Sequence, residues 1–340
     1  MSKKKYIIPI FIPHRGCPHD CSFCNQKRIA GDITEITGVD VGALIEKYLE
    51  IYPEDMDKEV AFYGGSFTGI PLDKQTELLE PAWQAKKKGY IKDIRLSTRP
   101  DYINKSILQQ LGAYGVSIIE LGVQSTNDHV LMLNQRGHTK DDVDKAVLDI
   151  KAAGYQLGLQ MMLGLAGDTH ESINRTVEDF IQWKPDFVRV YPTIVIKDTL
   201  LEELYKSGDY IPFSLVECVA IAKEVLKKFQ NAEIPVIRMG LQSTEEITYG
   251  KSVVAGPYHP AFREMVETEI YRDKIQAIIE SKGQTDFQNL IIYCNQKDSS
   301  KVAGYKQSNK SYFIEKYHLK CFKVKSSTEG KKGHLVVEVF

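Results

Sequence analysis

The chain has 340 residues, with 44 basic and 45 acidic side chains and a formal net charge of −1. Hydrophobic residues at 43% and charged residues at 26% fit a folded enzyme and exclude global disorder. No stretch approaches the ~20 apolar residues of a membrane span, and six cysteines are too few for a disulfide scaffold in a chain this long.

The start, MSKKKYIIPIFIPHRGC, imitates a signal peptide, with three lysines before an apolar run. Pro9 and Pro13 interrupt that run, His14 and Arg15 follow at once, and no small-residue cleavage site appears. It reads as a first strand behind a short basic leader, so a cytoplasmic protein without a membrane partner is expected. Strand-like and helix-like stretches then alternate. KYIIPIFI leads into a cysteine loop and the amphipathic VGALIEKYLEIY; EVAFYGG precedes a helical stretch around Asp73 to Lys88. DIRLSTRPD, SIIELGVQS, LGLQMMLGL and FVRVYPTIV repeat the scheme. These runs read as apolar on both faces, as buried parallel strands are. The alternation predicts an α/β fold, a partial parallel (βα)6-type TIM barrel whose C-terminal strand ends form the active face. Those ends carry GGSFTG, STRPD, GVQS and YPT.

A helix over Phe213 to Lys228, the apolar EIPVIRMGL and a helix over Pro260 to Lys282 complete a large domain of residues 1–284. Residues 285–340 differ in character. They hold ten lysines against Asp286, Asp298, Glu315, Glu329 and Glu338, a net of +5, which leaves −6 for the remainder of a chain of net −1. Such asymmetry predicts a separate small α+β module with its own partner. Its pattern is a strand (NLIIYCN), two short helices, and two strands (CFKVKS, HLVVEVF).

Cys17, Cys21 and Cys24 form a CxxxCxxC, while Cys218, Cys294 and Cys321 sit among apolar neighbours as small core residues. Three thiolates on one tight loop can hold three irons of a 4Fe–4S cluster and leave the fourth open to an exogenous ligand. A zinc site completed by His14 or His19 is the alternative, although no second cysteine knuckle is present.

A CxxxCxxC just after the first strand of an α/β barrel resembles the radical S-adenosylmethionine superfamily. The resemblance implies a 4Fe–4S cluster whose open iron chelates S-adenosylmethionine, and an electron donor such as ferredoxin or flavodoxin. Reductive cleavage would then give a 5′-deoxyadenosyl radical. It also implies cofactor contacts from Gly64, Gly65 and Ser66 at the second strand end, and from Thr98 and Arg99 at the third. Gln124 and Ser125 correspond to GVQS motifs that reach the ribose, and Arg136 in LNQRGHT to an arginine that pairs with the cofactor carboxylate. Gln160 stands where relatives often carry a ribose-binding Asp or a His.

STRPDYI, IIELGVQS, LNQRGHT, AAGY and VRVYPTIVIKDTLLEELYKSGDY resemble the radical domain of the Elongator catalytic-subunit family. That implies modification of RNA, a tRNA or rRNA base, at a position such as uridine C5. Residues 285–340 are too few for that family's acetyltransferase domain, so the resemblance does not extend to acetyl-CoA as co-substrate or to the wobble-uridine product, and the second substrate stays open. Two other readings stand beside it: a radical enzyme acting on a small molecule such as a tetrapyrrole, and a zinc-stapled RNA-binding protein without catalysis.

The basic tail resembles a KH module, whose GXXG loop clamps a nucleic-acid backbone between two helices. Here the loop reads Gly304-Tyr305-Lys306-Gln307, without the second glycine, and Lys301, Lys306 and Lys310 would stand near phosphates. Tyr191, in YPT at the sixth strand end, and His259, in GPYHP, are the candidate catalytic side chains. For Tyr191 a buried tyrosine, and for His259 a rigid turn before a helix, are the structural alternatives.

Overall fold

The computed structural model describes residues 5–12, 21–25, 36–242, 247–284 and 286–340. Their contacts divide the chain into two compact units, Met1–Ser214 with Lys228–Tyr258, and Leu215–Lys227 with His259–Phe340. The first unit contains strands β1 (Tyr6–Ile12), β2 (Lys58–Gly64), β3 (Asp93–Thr98), β4 (Ile118–Gln124), β5 (Gln156–Leu163), β6 (Phe187–Pro192), β7 (Val195–Ile196), β8 (Val236–Met239) and β9 (Val253–Ala255). β1 to β6 and then β8 form one parallel sheet in that order, and its two end strands do not pair with each other. This is the expected open, partial barrel. The apolar EIPVIRMGL supplies β8, a seventh strand beyond the six units read from the sequence. β7 and β9 pair antiparallel outside that sheet.

Helices α1 (Gly38–Ile51), α2 (Leu72–Lys87), α3 (Lys105–Ala113), α4 (Asp128–Leu133), α5 (Lys140–Ala152), α6 (His170–Trp183) and α7 (Leu200–Ser207) connect the strands. Three begin with a reciprocal capping box: Thr37 with Asp40, Thr139 with Asp142, and Thr169 with Ser172. Each pair satisfies backbone N–H groups that the first turn leaves without helical partners. Spacing then sets the buried stripe. Val143, Val147 and Ile150 of α5, and Ile173, Val177 and Phe180 of α6, recur every three or four residues and are buried against the sheet.

The expectation that the strands are apolar on both faces is corrected by the structure. Ile94 and Leu96, Ile119 and Leu121, Leu157 and Leu159, and Val188 and Val190 are wholly buried beneath the helices. The alternate positions of these strands carry Arg95, Glu120, Gln160 and Arg189, and with Glu59 of β2 they point into the barrel, where they bond to one another. An open barrel has a concave wall for polar groups to face, which a doubly covered sheet lacks.

α8 (Leu215–Asn231) belongs to both units, its first thirteen residues to the second. That unit continues with α9 (Phe262–Ser281), β10 (Asn289–Asn295), α10 (Ser299–Ala303), α11 (Ser308–Tyr317), β11 (Cys321–Ser327) and β12 (Leu335–Val339). The order strand, two short helices, two strands is the one expected. β10 lies at the centre, parallel to β11 and antiparallel to β12. Leu290, Ile292, Phe322 and Val337 meet Ile275, Ile279, Val302 and Phe313 in one core, so α9, α10 and α11 cover the same face of the sheet. The boundary drawn after residue 284 from charge falls inside this unit, between α9 and β10. No helix among the described residues is long and apolar enough to cross a membrane.

Candidate active site

Of the cysteine motif that follows β1 in the sequence, residues 21–25 are described. Cys17 lies outside the described residues, as do His14 and His19. Cys21 is buried and Cys24 half-buried, and both carry thiol side chains. A turn from Cys24 N to Cys21 O holds them on one bend (3.0 Å). Ser22 clasps the loop that follows α4, donating its Oγ to Asn134 Oδ1 at 2.7 Å and its backbone N to Asn134 O at 3.1 Å. Its carbonyl accepts from Leu201 N at 2.7 Å, and Asn25 Nδ2 donates to Lys197 O at 3.1 Å. Phe23 packs on the cluster of Ala166, Val195, Leu201 and Tyr210. Among the described residues no three His, Cys, Asp or Glu side chains gather as metal ligands.

The other candidate residues collect at the neighbouring strand ends. Gly64 has φ +107, and a Cβ there would stand 2.6 Å from Ile12 O, so only glycine lets β2 end this close to β1. Gly64 is exposed, Gly65 is half-buried and its N donates to Ile12 O (3.3 Å), and Ser66 is buried at the next turn. Arg136 Nη1 donates to Cys21 Sγ at 3.2 Å and its Nη2 to Gly122 O at 2.5 Å. Arg136 Nε and Gln124 Oε1 are buried and meet no hydrogen-bond partner among the described residues. Gln124 takes φ +71 at a register shift between β4 and β5, which swings its amide over Gly122. Cys21, Gly122, Gln124 and Arg136 are therefore brought together, with polar atoms to spare.

Other candidates are engaged elsewhere. Thr98 Oγ1 shares a hydrogen bond with Thr68 Oγ1 (2.5 Å). Arg99 grips Asp101 with two bonds, at 2.9 and 3.1 Å, and donates to the carbonyl of Arg136. It thereby fixes the loop that carries Arg136. Gln160 Nε2 donates to Glu120 Oε2 (3.1 Å). Ser125 Oγ accepts from Asn127 N (3.2 Å) at the turn into α4. Tyr191 is half-buried on the inward column of β6, two residues beyond Arg189. His259 falls in the second unit, where its Nδ1 accepts from Ala261 N (3.0 Å) and its ring meets Tyr305 edge-on.

Sequence reading missed the floor of this site. Glu120, wholly buried, accepts from Arg95 Nη1 (2.8 Å), Arg189 Nε (2.6 Å) and Arg189 Nη2 (3.1 Å). Arg95 also pairs with Glu59 (2.5 Å), and Arg189 Nη2 reaches Tyr63 OH (3.3 Å). Burial works against a charged Glu120, yet Arg189 and then Arg95 hold its carboxyl below the usual range. Tyr63 is pushed up by burial. Asp168, on the loop after β5, is pushed up to about 6 by burial although Ser172 and Gly164 donate to it. A charge at the middle of IIELGVQS, DIRLST and FVRVYP was the signal available.

Arg136→Lys keeps the charge but loses the planar fork that bridges Cys21 and Gly122. If Arg136 pairs with the cofactor carboxylate, as the sequence resemblance implies, S-adenosylmethionine affinity of the iron-loaded protein should fall by on the order of tenfold, the loss of one charge-assisted bond, with iron content retained. Calorimetry and iron analysis check this; unchanged affinity would assign Arg136 a purely structural role.

An open parallel βα barrel with a buried arginine on a cysteine turn, and a glycine edge at the end of its second strand, is the frame of an α/β enzyme whose site lies at the strand ends. The chain belongs to the Radical SAM superfamily, which residues 11–180 match, and residues 185–272 match the Radical_SAM C-terminal domain. That superfamily uses a 4Fe–4S cluster and S-adenosylmethionine. A tRNA uridine(34) acetyltransferase of Methanocaldococcus jannaschii is 32% identical over 266 residues, 66% of this chain and 49% of that protein. Elongator complex protein 3 of Danio rerio is 38% identical over 136 residues, 37% of this chain and 24% of that protein. The match to the archaeal acetyltransferase thus spans about half of that protein's length. Among solved structures, the Elp3 of Methanocaldococcus infernus with an N-terminal deletion has a TM-score of 0.63 at 20% identity, covering 81% of this chain and 64% of that one. Coproporphyrinogen III oxidase (HemN) of Escherichia coli has a TM-score of 0.50 at 17% identity, covering 68% of this chain and 53% of that one. At such identities these two share the fold.

Proposed function

We propose that this chain is a cytoplasmic radical S-adenosylmethionine enzyme of the transferase class that modifies a tRNA base, with uridine C5 as the position attacked. The observation that carries the reading is the 32% identity over 266 residues to a protein named for tRNA uridine 34. The net charge of +5 over residues 285–340 supports a polyanionic partner.

In this reading Cys17, Cys21 and Cys24 hold the cluster, which needs thiolates and an open iron. The thiols of Cys21 and Cys24 suit it, and the exposed glycine edge and spare polar atoms of Gln124 and Arg136 suit a zwitterionic cofactor. Bound together and reduced by a donor such as ferredoxin or flavodoxin, the cluster and S-adenosylmethionine supply a 5′-deoxyadenosyl radical. Gly64 and Gly65 allow close backbone approach, Ser66 and Ser125 offer hydroxyls, and the guanidinium of Arg136 suits a carboxylate. Thr98, Arg99 and Gln160 act as positioning residues through Thr68, Asp101 and Glu120. The paired charges beneath hold the wall rigid, and Tyr191, half-buried above Arg189, is the side chain that would meet the base.

Mass spectrometry of tRNA nucleosides from a strain lacking the gene tests the proposal. One modified uridine should disappear, return with the wild-type gene, and stay absent with Cys24→Ala. Unchanged nucleosides with an accumulated tetrapyrrole would support the small-molecule reading instead.

A further inference from the structure

The helix–loop–helix of the second unit is the expected place for a nucleic-acid grip, but α9 already occupies much of it. Tyr305 N donates to Thr268 Oγ1 (2.9 Å), and Asn309, wholly buried, donates to Thr268 O (3.0 Å) and accepts from Arg272 Nε (2.9 Å). Lys301 is paired with Glu267 at 2.9 Å. A Cβ on Gly304 would stand 2.6 Å from Asn309 N and 2.9 Å from Thr268 Cγ2, so this glycine serves packing inside the protein. Lys306 and Lys310 remain exposed there.

The opposite face of the sheet carries none of this unit's described helices. Because the helices all lie on one side, the residues between the core positions of β10, β11 and β12 face outward. Their register places Lys323, Ile291 and Glu338 in one row and Lys325, Tyr293 and Val336 in the next. Val336 is 48% exposed, and both lysines are exposed. Lys325 Nζ lies over the Tyr293 ring, 5.1 Å from its centre, and Tyr293 OH donates to Glu338 (3.1 Å), the one acid of the two rows. The connection from β11 to β12 is tied down by Asn295 Nδ2 donating to Gly330 O (2.5 Å) and Gly333 N donating to Asp298 (2.6 Å). It closes a concavity of about 200 Å³ lined by Tyr293, Lys325, Lys331, His334 and Val336.

We propose that this open sheet face, centred on Tyr293 with Lys325 and Lys331, is the surface that takes a single-stranded segment of the RNA. An aromatic ring in the middle of a sheet, flanked by cations and an aliphatic side chain, is what stacks a base while the lysines meet the adjoining phosphates. The charge complementarity is direct: Lys325 and Lys331 line the concavity with the ring, Lys323 stands in the next row, and the one carboxylate of the two rows, Glu338, accepts from the ring's hydroxyl. The inference rests on the RNA-modifying reading and adds to it where the RNA is held.

The test is binding of a fluorescein-labelled unmodified tRNA transcript to the full chain across a salt series. Lys325→Ala with Lys331→Ala should weaken binding about tenfold at low salt and reduce the slope of log K against log salt by about 1.4, about 0.7 for each single-strand phosphate no longer neutralised. Tyr293→Ala should weaken binding by about tenfold with the slope unchanged, the signature of missing base stacking. Lys306→Ala with Lys310→Ala should stay within about twofold of wild type. Circular dichroism confirms that each variant is folded. Wild-type binding that survives both sheet variants overturns this surface alone, and weakening confined to the loop variant moves the grip to the helix–loop–helix. A wild-type chain that does not bind the transcript overturns the RNA reading and this surface together.

Discussion

Glu120→Ala should destabilise the first unit by about 3–5 kcal/mol, the cost of leaving buried charges without their counter-ion. The carboxylate is wholly buried and takes three hydrogen bonds from Arg95 and Arg189. Removing it leaves two guanidiniums facing each other in the barrel wall. Glu120→Gln keeps the shape but not the charge, and should fall between wild type and Ala. The pH dependence has a definite sign. Because the folded carboxyl titrates below its ordinary value of 4.5, its contribution is complete above that value and is lost as the pH falls through the lower, folded value. Urea unfolding midpoints measured from pH 7 down to pH 3 check both statements. A Gln variant as stable as wild type, with the same acid dependence, would show that the arginines are compensated by Glu59 alone.

Cys21→Ala or Cys24→Ala should abolish iron binding, whereas Cys218→Ala should not. Anaerobically reconstituted wild-type protein should carry about four irons and four sulfides per chain, as a three-thiolate 4Fe–4S site requires. Removing one of three ligands leaves two irons without a protein thiolate and the cluster with no stable mode of attachment. Cys218 is the proper control because it is wholly buried in α8, where burial pushes its thiol up to about 12 and keeps it protonated. Iron and sulfide analysis with the visible spectrum reads the outcome. One tightly bound zinc with no iron after reconstitution would reinstate the zinc reading.

What was legible in the sequence was what local pattern determines. Alternation along VGALIEKYLEIY or LGLQMMLGL marks an element whatever it packs against, and the polar ends GGSFTG, STRPD and GVQS mark where the strands stop. The gathering of Gln124 and Arg136 near Cys21 was less so: Gln124 ends β4, but Arg136 returns to it only after α4. The charged wall was not. Glu120 acquires its meaning from Arg95 and Arg189, which are 25 and 69 residues away in sequence and meet it only when β3, β4, β5 and β6 stand side by side. Gln160 and Thr98 show the same limit from the other side. Their types suit a ribose contact, but Glu120 and Thr68 are nearer and take their hydrogen bonds first. In the second unit, Gly304 resembles a nucleic-acid loop glycine, yet its tight neighbours are Asn309 and Thr268, and the latter belongs to a helix that the sequence assigned to the other domain.

The clasp around the cysteine turn also sets an order in time. Each strand from β2 to β6 pairs with the one made just before it, so the sheet can grow as the chain leaves the ribosome, amino end first. The cysteine turn does not share that schedule. Ser22 waits for Asn134, more than a hundred residues later, and for Leu201 after that, while Asn25 waits for Lys197. The partners that hold Ser22 and Asn25 are therefore made long after the thiols of Cys21 and Cys24 themselves. A turn held from later segments of the chain takes its full set of contacts only once residue 201 has been made.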